Sequence, residues 1–169
     1  MHAGECPLRG GAAMEKSMLK YQLKYYSFLI LLGLFVSGIF AGQVIAAERV
    51  VVKAGIANLR SGPGTKYEVL WQVEQYHPFL VVEKKGNWYK IKDFEGDMAW
   101  IHKSLLGSMD GVITRKTKSN VRAEPTTKSR ILFTVERGVP FKVLKRKGDW
   151  IRIEHADGEK GWIYKTLVW

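Results

Sequence analysis

Apolar and polar residues alternate in short runs through most of this chain, and no stretch after residue 47 repeats with a helical period. In Trp150-Ile-Arg-Ile-Glu154, Ile151 and Ile153 share one face, opposite Arg152 and Glu154. Pro140-Phe-Lys-Val-Leu144 puts Phe141 and Val143 on one face, and Ile131-Leu-Phe-Thr-Val135 is a β-rich run. Turn residues separate these segments: Glu124-Pro-Thr-Thr127, Arg137-Gly138, Lys147-Gly-Asp149 and Asp157-Gly158. The pattern predicts an all-β fold of short antiparallel strands.

The same pattern occurs twice. A shift of 62 residues aligns Val50–Gly107 with Val112–Trp169 without a gap, and 21 of the 58 pairs are identical. They include Asn58/Asn120, Arg60/Arg122, Pro78/Pro140, Phe79/Phe141, Gly86/Gly148, Trp88/Trp150, Ile91/Ile153, Trp100/Trp162 and Ile101/Ile163. A repeat of this length implies two copies of one small unit. The expected division is 1–47 as a leader, 48–107 as the first domain and 108–169 as the second. Five short strands in each copy suggest a small barrel. The linker Ser108-Met-Asp-Gly111 is short enough to hold the pair as one rigid unit.

Residues 1–47 read differently. Arg9, Lys16, Lys20 and Lys24 precede an uncharged apolar run from Phe28 to Ala41, which ends in small residues at Ala46-Ala47. These are the parts of a secretory signal. The uncharged stretch 25–47 is also long enough for an apolar membrane-spanning helix. Cleaved leader and retained anchor are both open, and both place the rest of the chain outside the cytoplasm, periplasmic or extracellular. Met14 or Met18 is an alternative start. The single cysteine, Cys6, lies ahead of the apolar run, so no disulfide is expected in the exported part.

Three blocks in each copy resemble the bacterial Src-homology-3-like (SH3b) family. Asn58-Leu-Arg-Ser-Gly-Pro-Gly64 is similar to its opening turn. Gly86-Asn-Trp-Tyr-Lys-Ile91 and Gly148-Asp-Trp-Ile-Arg-Ile153 are similar to its G-[DN]-W strand. Gly96-Asp-Met-Ala-Trp-Ile101 and Gly158-Glu-Lys-Gly-Trp-Ile163 are similar to its G-x-x-G-W ending, with Ala99 in place of a glycine. The resemblance implies two tandem five-stranded SH3-like barrels in the cell envelope. Such modules often bind peptidoglycan peptides and accompany wall hydrolases. The proline-peptide groove of the eukaryotic relatives is not matched, because His102 and Tyr164 stand where its proline would be.

Candidate ligand-binding residues are Trp88 and Trp150, each on the face opposite the inward Ile91 or Ile153, with Arg152 on the same face as Trp150, and further Tyr164 and Arg122. A Trp next to a cation can stack on a peptide or sugar ring, and a guanidinium fork can grip a carboxylate. Each candidate has a structural alternative: the tryptophans as barrel caps and the arginines as clamps on turn carbonyls. Trp100 and Trp162 are expected to pack in the core or between domains. His77, His102 and His155 lack metal-ligand spacing, and no nucleophile motif occurs after residue 47, so no catalytic residue, metal or cofactor is expected.

The net charge of +11 is unevenly shared. Residues 48–107 carry nine Lys and Arg against seven acids, and residues 108–169 carry fourteen against seven. A basic second domain favours an anionic partner. Export disfavours nucleic acid. The expected function is non-catalytic binding of peptidoglycan or another anionic wall polymer. The alternative is an envelope protein–protein adaptor or accessory subunit, and the membrane is a partner only through an uncleaved leader.

Overall fold

The computed structural model describes residues 48–169. The expected leader, anchor and apolar helix all lie outside the described residues. Among the described residues no helix is long and apolar enough to cross a membrane. Residues 48–169 belong to one compact unit.

The first repeat contains β1 (Arg49–Val52), β2 (Ile56–Arg60), β3 (Val69–Glu74), β4 (Pro78–Lys85), β5 (Trp88–Lys92), β6 (Met98–His102) and the two-residue β7 (Leu106–Gly107). They form one antiparallel sheet in the order β3-β2-β6-β5-β4-β1-β7. The second repeat contains β8 (Gly111–Ile113), β9 (Ser119–Arg122), β10 (Ile131–Val135), β11 (Pro140–Lys147), β12 (Trp150–Glu154) and β13 (Lys160–Tyr164), in the order β10-β9-β13-β12-β11-β8. Seven and six strands therefore replace the expected five. The five longer strands of each copy are those the alternation marks; β1, β7 and β8 are short segments at the repeat ends.

Each sheet curls around its own core. Val52, Leu59, Phe79, Ile91 and Ile101, one inward position from each of five strands, meet in the first cluster. Val112, Val121, Phe141, Ile153 and Ile163 do the same in the second. A fully buried residue of this size contributes about 1.5–3 kcal/mol by leaving water, so a repeat without disulfides has a sufficient apolar centre. Turns close on glycines in the left-handed region, Gly86 (φ 58) and Gly148 (φ 57) in the tight β4–β5 and β11–β12 hairpins.

The repeats touch directly. Gly111 enters β8 against the Tyr76 carbonyl and Val51, where a Cβ would come within 2.9 Å of both. The Arg137 guanidinium donates to Glu95 at 2.7 Å and lies 5.2 Å from the Phe94 ring. Arg49 lies 4.0 Å over the ring of Trp169. A short linker and these contacts explain why the two copies form one unit.

Candidate functional site

Strand register sorts the outward side chains into rows. Directly opposed residues of antiparallel strands project to the same side of the sheet. In the first repeat Lys85 faces Trp88, and Trp88 faces His102. In the second the equivalent row is Lys147, Trp150 and Tyr164. Both tryptophans are half-buried on the outer side, with Ile91 and Ile153 beneath. Trp88 meets His102 edge-on at 5.2 Å and 77°, and Trp150 meets Tyr164 at 5.3 Å and 76°. The fold thus sets the same aromatic pair at the same place twice.

In the first repeat this pair opens onto a groove of about 480 Å³. Trp88 and His102 form one wall, and Ile56, Asn58, Arg60 and Gln72 form the other. Ile56, Asn58 and Arg60 face out because β2 alternates them with the buried Ala57 and Leu59. Ile56 is 65% exposed, unusual for an isoleucine. Asn58 and Gln72 are joined by an amide hydrogen bond of 2.7 Å. Arg60 spends Nη1 on the carbonyls of Thr65 and Tyr67, at 3.1 and 2.8 Å. His102 Nδ1 lies 2.7 Å from the Ser104 hydroxyl and 3.3 Å from the Ser104 backbone nitrogen, contacts that orient the imidazole. The groove offers an apolar and aromatic floor with amide and guanidinium edges, a lining suited to a polar chain with flat groups. Ile56, Asn58 and Gln72 were not among the expected site residues; their signal is the outward phase of β2 and β3.

The second aromatic pair has different chemistry. The Tyr164 hydroxyl donates to Asp149 at 2.9 Å, and Lys165 pairs with the other Asp149 oxygen at 2.7 Å. The Lys165 and Tyr164 hydrogen bonds hold the Asp149 carboxyl below its usual range, and Asp149 in turn raises both Tyr164 and Lys165. In the first repeat these three positions are Asn87, His102 and Lys103, so the charged lock is missing. Arg122 donates from Nη1 to the Ser129 carbonyl at 2.7 Å, the counterpart of the Arg60 clamp.

Arg152 and Arg122 lie in a neighbouring outer row with Trp162 between them, since Arg152 opposes Trp162 and Trp162 opposes Arg122. Trp162 departs from the expected packing in the core or between domains. Ala99/Ile101 and Gly161/Ile163 take the inward positions of β6 and β13, which turns both tryptophans outward. Trp100 is nevertheless covered, at 9% exposure, whereas Trp162 is half-buried.

One cluster of carboxylates forms at the β5–β6 turn, where Asp93, Glu95 and Asp97 bring ligand atoms within 4.8 Å. Two of its three carboxylates are already engaged. Asp93 Oδ1 accepts the N–H groups of Glu95, Gly96 and Asp97 at 2.8–2.9 Å, and Glu95 accepts from Arg137. The cluster shapes the turn and ties it to the second repeat.

Parts of known proteins are similar to this chain in sequence. YrvJ of Bacillus subtilis (strain 168), named for an N-acetylmuramoyl-L-alanine amidase activity, is 25% identical over 159 residues, which is 86% of this chain and 30% of YrvJ. LytH of Staphylococcus epidermidis, named as a cell wall amidase, is 37% identical over 54 residues, 31% of this chain and 19% of LytH. The chain therefore spans less than a third of the length of either relative. An NlpC/P60 family protein from Bacillus cereus aligns over 72% of this chain and 56% of its own, with 16% identity and a TM-score of 0.35. The bacterial SH3 domain family matches twice, at residues 53–107 and 115–169. Both outer aromatic pairs and all but the first-strand members of the two cores fall inside those limits, and the chain belongs to the bacterial SH3 domain family, with two copies in tandem.

Proposed function

We propose that this chain is an exported, non-catalytic envelope protein that binds peptidoglycan through the Trp88 groove of its first repeat. The observation that carries this reading is the open groove itself: a half-buried tryptophan edge-on to His102, facing amides and a fixed guanidinium across about 480 Å³. Peptidoglycan supplies matching groups, since sugar rings stack on tryptophan and peptide amides pair with Asn, Gln and Arg. The match to regions of two proteins named as wall amidases supports the same compartment and substrate class. In this reading the repeats hold the wall and cut nothing.

The test is co-sedimentation of the protein with purified sacculi at low and high salt. Binding is expected to resist salt and to fall about 30-fold in Trp88→Ala, the effect of losing a central aromatic anchor. Trp150→Ala is expected to do less, because its ring neighbour is locked to Asp149. Absence of binding, or binding indifferent to Trp88, would refute the reading and leave the adaptor role, to be pursued by cross-linking in the envelope.

A further inference from the structure

The second repeat carries an outer row that the first does not reproduce. Lys145 opposes Arg152, Arg152 opposes Trp162, and Trp162 opposes Arg122. With strands about 4.8 Å apart, the row crosses four strands and about 14 Å. The same register in the first repeat gives Glu83, Lys90, Trp100 and Arg60. Opposite charges placed directly across a strand pair attract and like charges repel. The first repeat therefore has an attractive pair, Glu83–Lys90, where the second has a repulsive one, Lys145–Arg152.

Three neighbouring cations are paired. Arg146 reaches Asp110 at 2.7 Å, Lys160 reaches Glu154 at 3.2 Å and Lys165 reaches Asp149. Lys145 and Arg152 are exposed and have no acidic partner among the described residues. Between Arg152 and Arg122 lies the half-buried Trp162. Two free cations, an aromatic face and a third cation held by Ser129 thus stand in one line.

We propose that this row binds a linear polyanion in which phosphate groups alternate with C–H-rich polyol or sugar units. Phosphates would neutralise Lys145, Arg152 and Arg122, and Arg suits them through its planar fork. The polyol or sugar unit would lie on Trp162. A line of charges one side chain wide fits a single extended polymer laid across the strands. The site is independent of the Trp88 groove, so the protein would hold two wall components by different chemistry.

Isothermal titration of the full chain with synthetic poly(glycerol phosphate) tests this. Lys145→Glu restores the charge pattern of the first repeat. It is expected to weaken binding about 30-fold, since it changes two charge units at a phosphate surface. Trp162→Ala is expected to weaken binding that persists in high salt. Trp88→Ala is expected to leave the titration unchanged while weakening sacculus binding about 30-fold, which keeps this proposal and the groove reading separately refutable. The melting temperature of Lys145→Glu should not fall, because a repulsion is removed, so lost binding cannot be ascribed to unfolding. No binding, or equal binding by Lys145→Glu, would overturn the proposal. Tighter binding to phosphatidylglycerol vesicles or to a single-stranded oligonucleotide than to the polymer would also overturn it.

Discussion

His77 makes the first repeat sensitive to acid, and the second repeat shows how to remove that sensitivity. The imidazole is buried, stacks on Phe79 at 4.6 Å and leaves Nε2 without a hydrogen-bond partner. Burial pushes its pKa down to about 4 from the usual 6.5, and the nearby Asp93 charge only partly opposes this. Glu74 and Glu95 line the same crevice. Because the folded pKa is the lower one, the unfolded chain binds the proton first. The contribution is fully present above pH 6.5, is lost as pH falls through the window, and levels off below about 4. At about 1.4 kcal/mol per pH unit, the loss amounts to about 3 kcal/mol. Val139 fills the equivalent place in the second repeat, so His77→Val is the natural comparison. Urea unfolding at pH 7, 5.5 and 4 should show wild-type stability dropping by about that amount and the variant lacking this drop. Asp149 and Asp157, both held below the ordinary carboxylate range, lose their contributions at still lower pH and leave this window clear. Parallel pH profiles for the two proteins would refute the argument, as would a His77 ring resonance titrating near pH 6.5.

Two backbone positions give further expectations. Tyr76 sits at φ 71, where the second repeat has Gly138 at φ 86. Tyr76→Gly should relieve about 1–2 kcal/mol of left-handed strain and raise the melting temperature; a fall would mean that Tyr76 packing outweighs it. At Gly161 an added Cβ would collide with Val121 and come within 3.0 Å of the Arg122 carbonyl. Gly161→Ala should therefore cost about 1–3 kcal/mol in chemical denaturation, although the first repeat carries Ala99 there without exposure.

Much of this architecture is legible from alternation and turn chemistry. Ile91 and Ile153 read as inward and are buried, and the 62-residue shift by itself sets Trp88 against Trp150 and His102 against Tyr164. The terminal strands are not legible, because β7 has two residues and β8 three, too few to show a period. The cation row escapes for another reason. Strict alternation from Phe141 through Val143 would send Lys145 inward, but the register shifts between Val143 and Lys145 and turns Lys145 outward against Arg152. The first repeat shifts at the same place, between Val81 and Glu83. A bulge reverses which side chains share a face, and the composition of the strand does not announce it.

The way the two copies differ separates scaffold from site. The large inward positions at the centre of the strands are the same: Phe79 and Phe141, Ile91 and Ile153, Ile101 and Ile163. A well-packed core leaves little room for change of volume. The outward rows change in chemical kind, Glu83 to Lys145, Asn87 to Asp149 and His102 to Tyr164. None of these exchanges is needed to keep the fold, and one of them sets two like charges across a strand pair. Such a repulsion lowers stability by a few tenths of a kcal/mol in the free protein. An anion bridging the pair would reverse the sign of that effect, so the repulsion in the free state and the attraction for a polyanion have one cause. In the proposed reading the first repeat, with its compensated row and unlocked groove, would by the same reasoning recognise its ligand by shape and amide pairing rather than by charge.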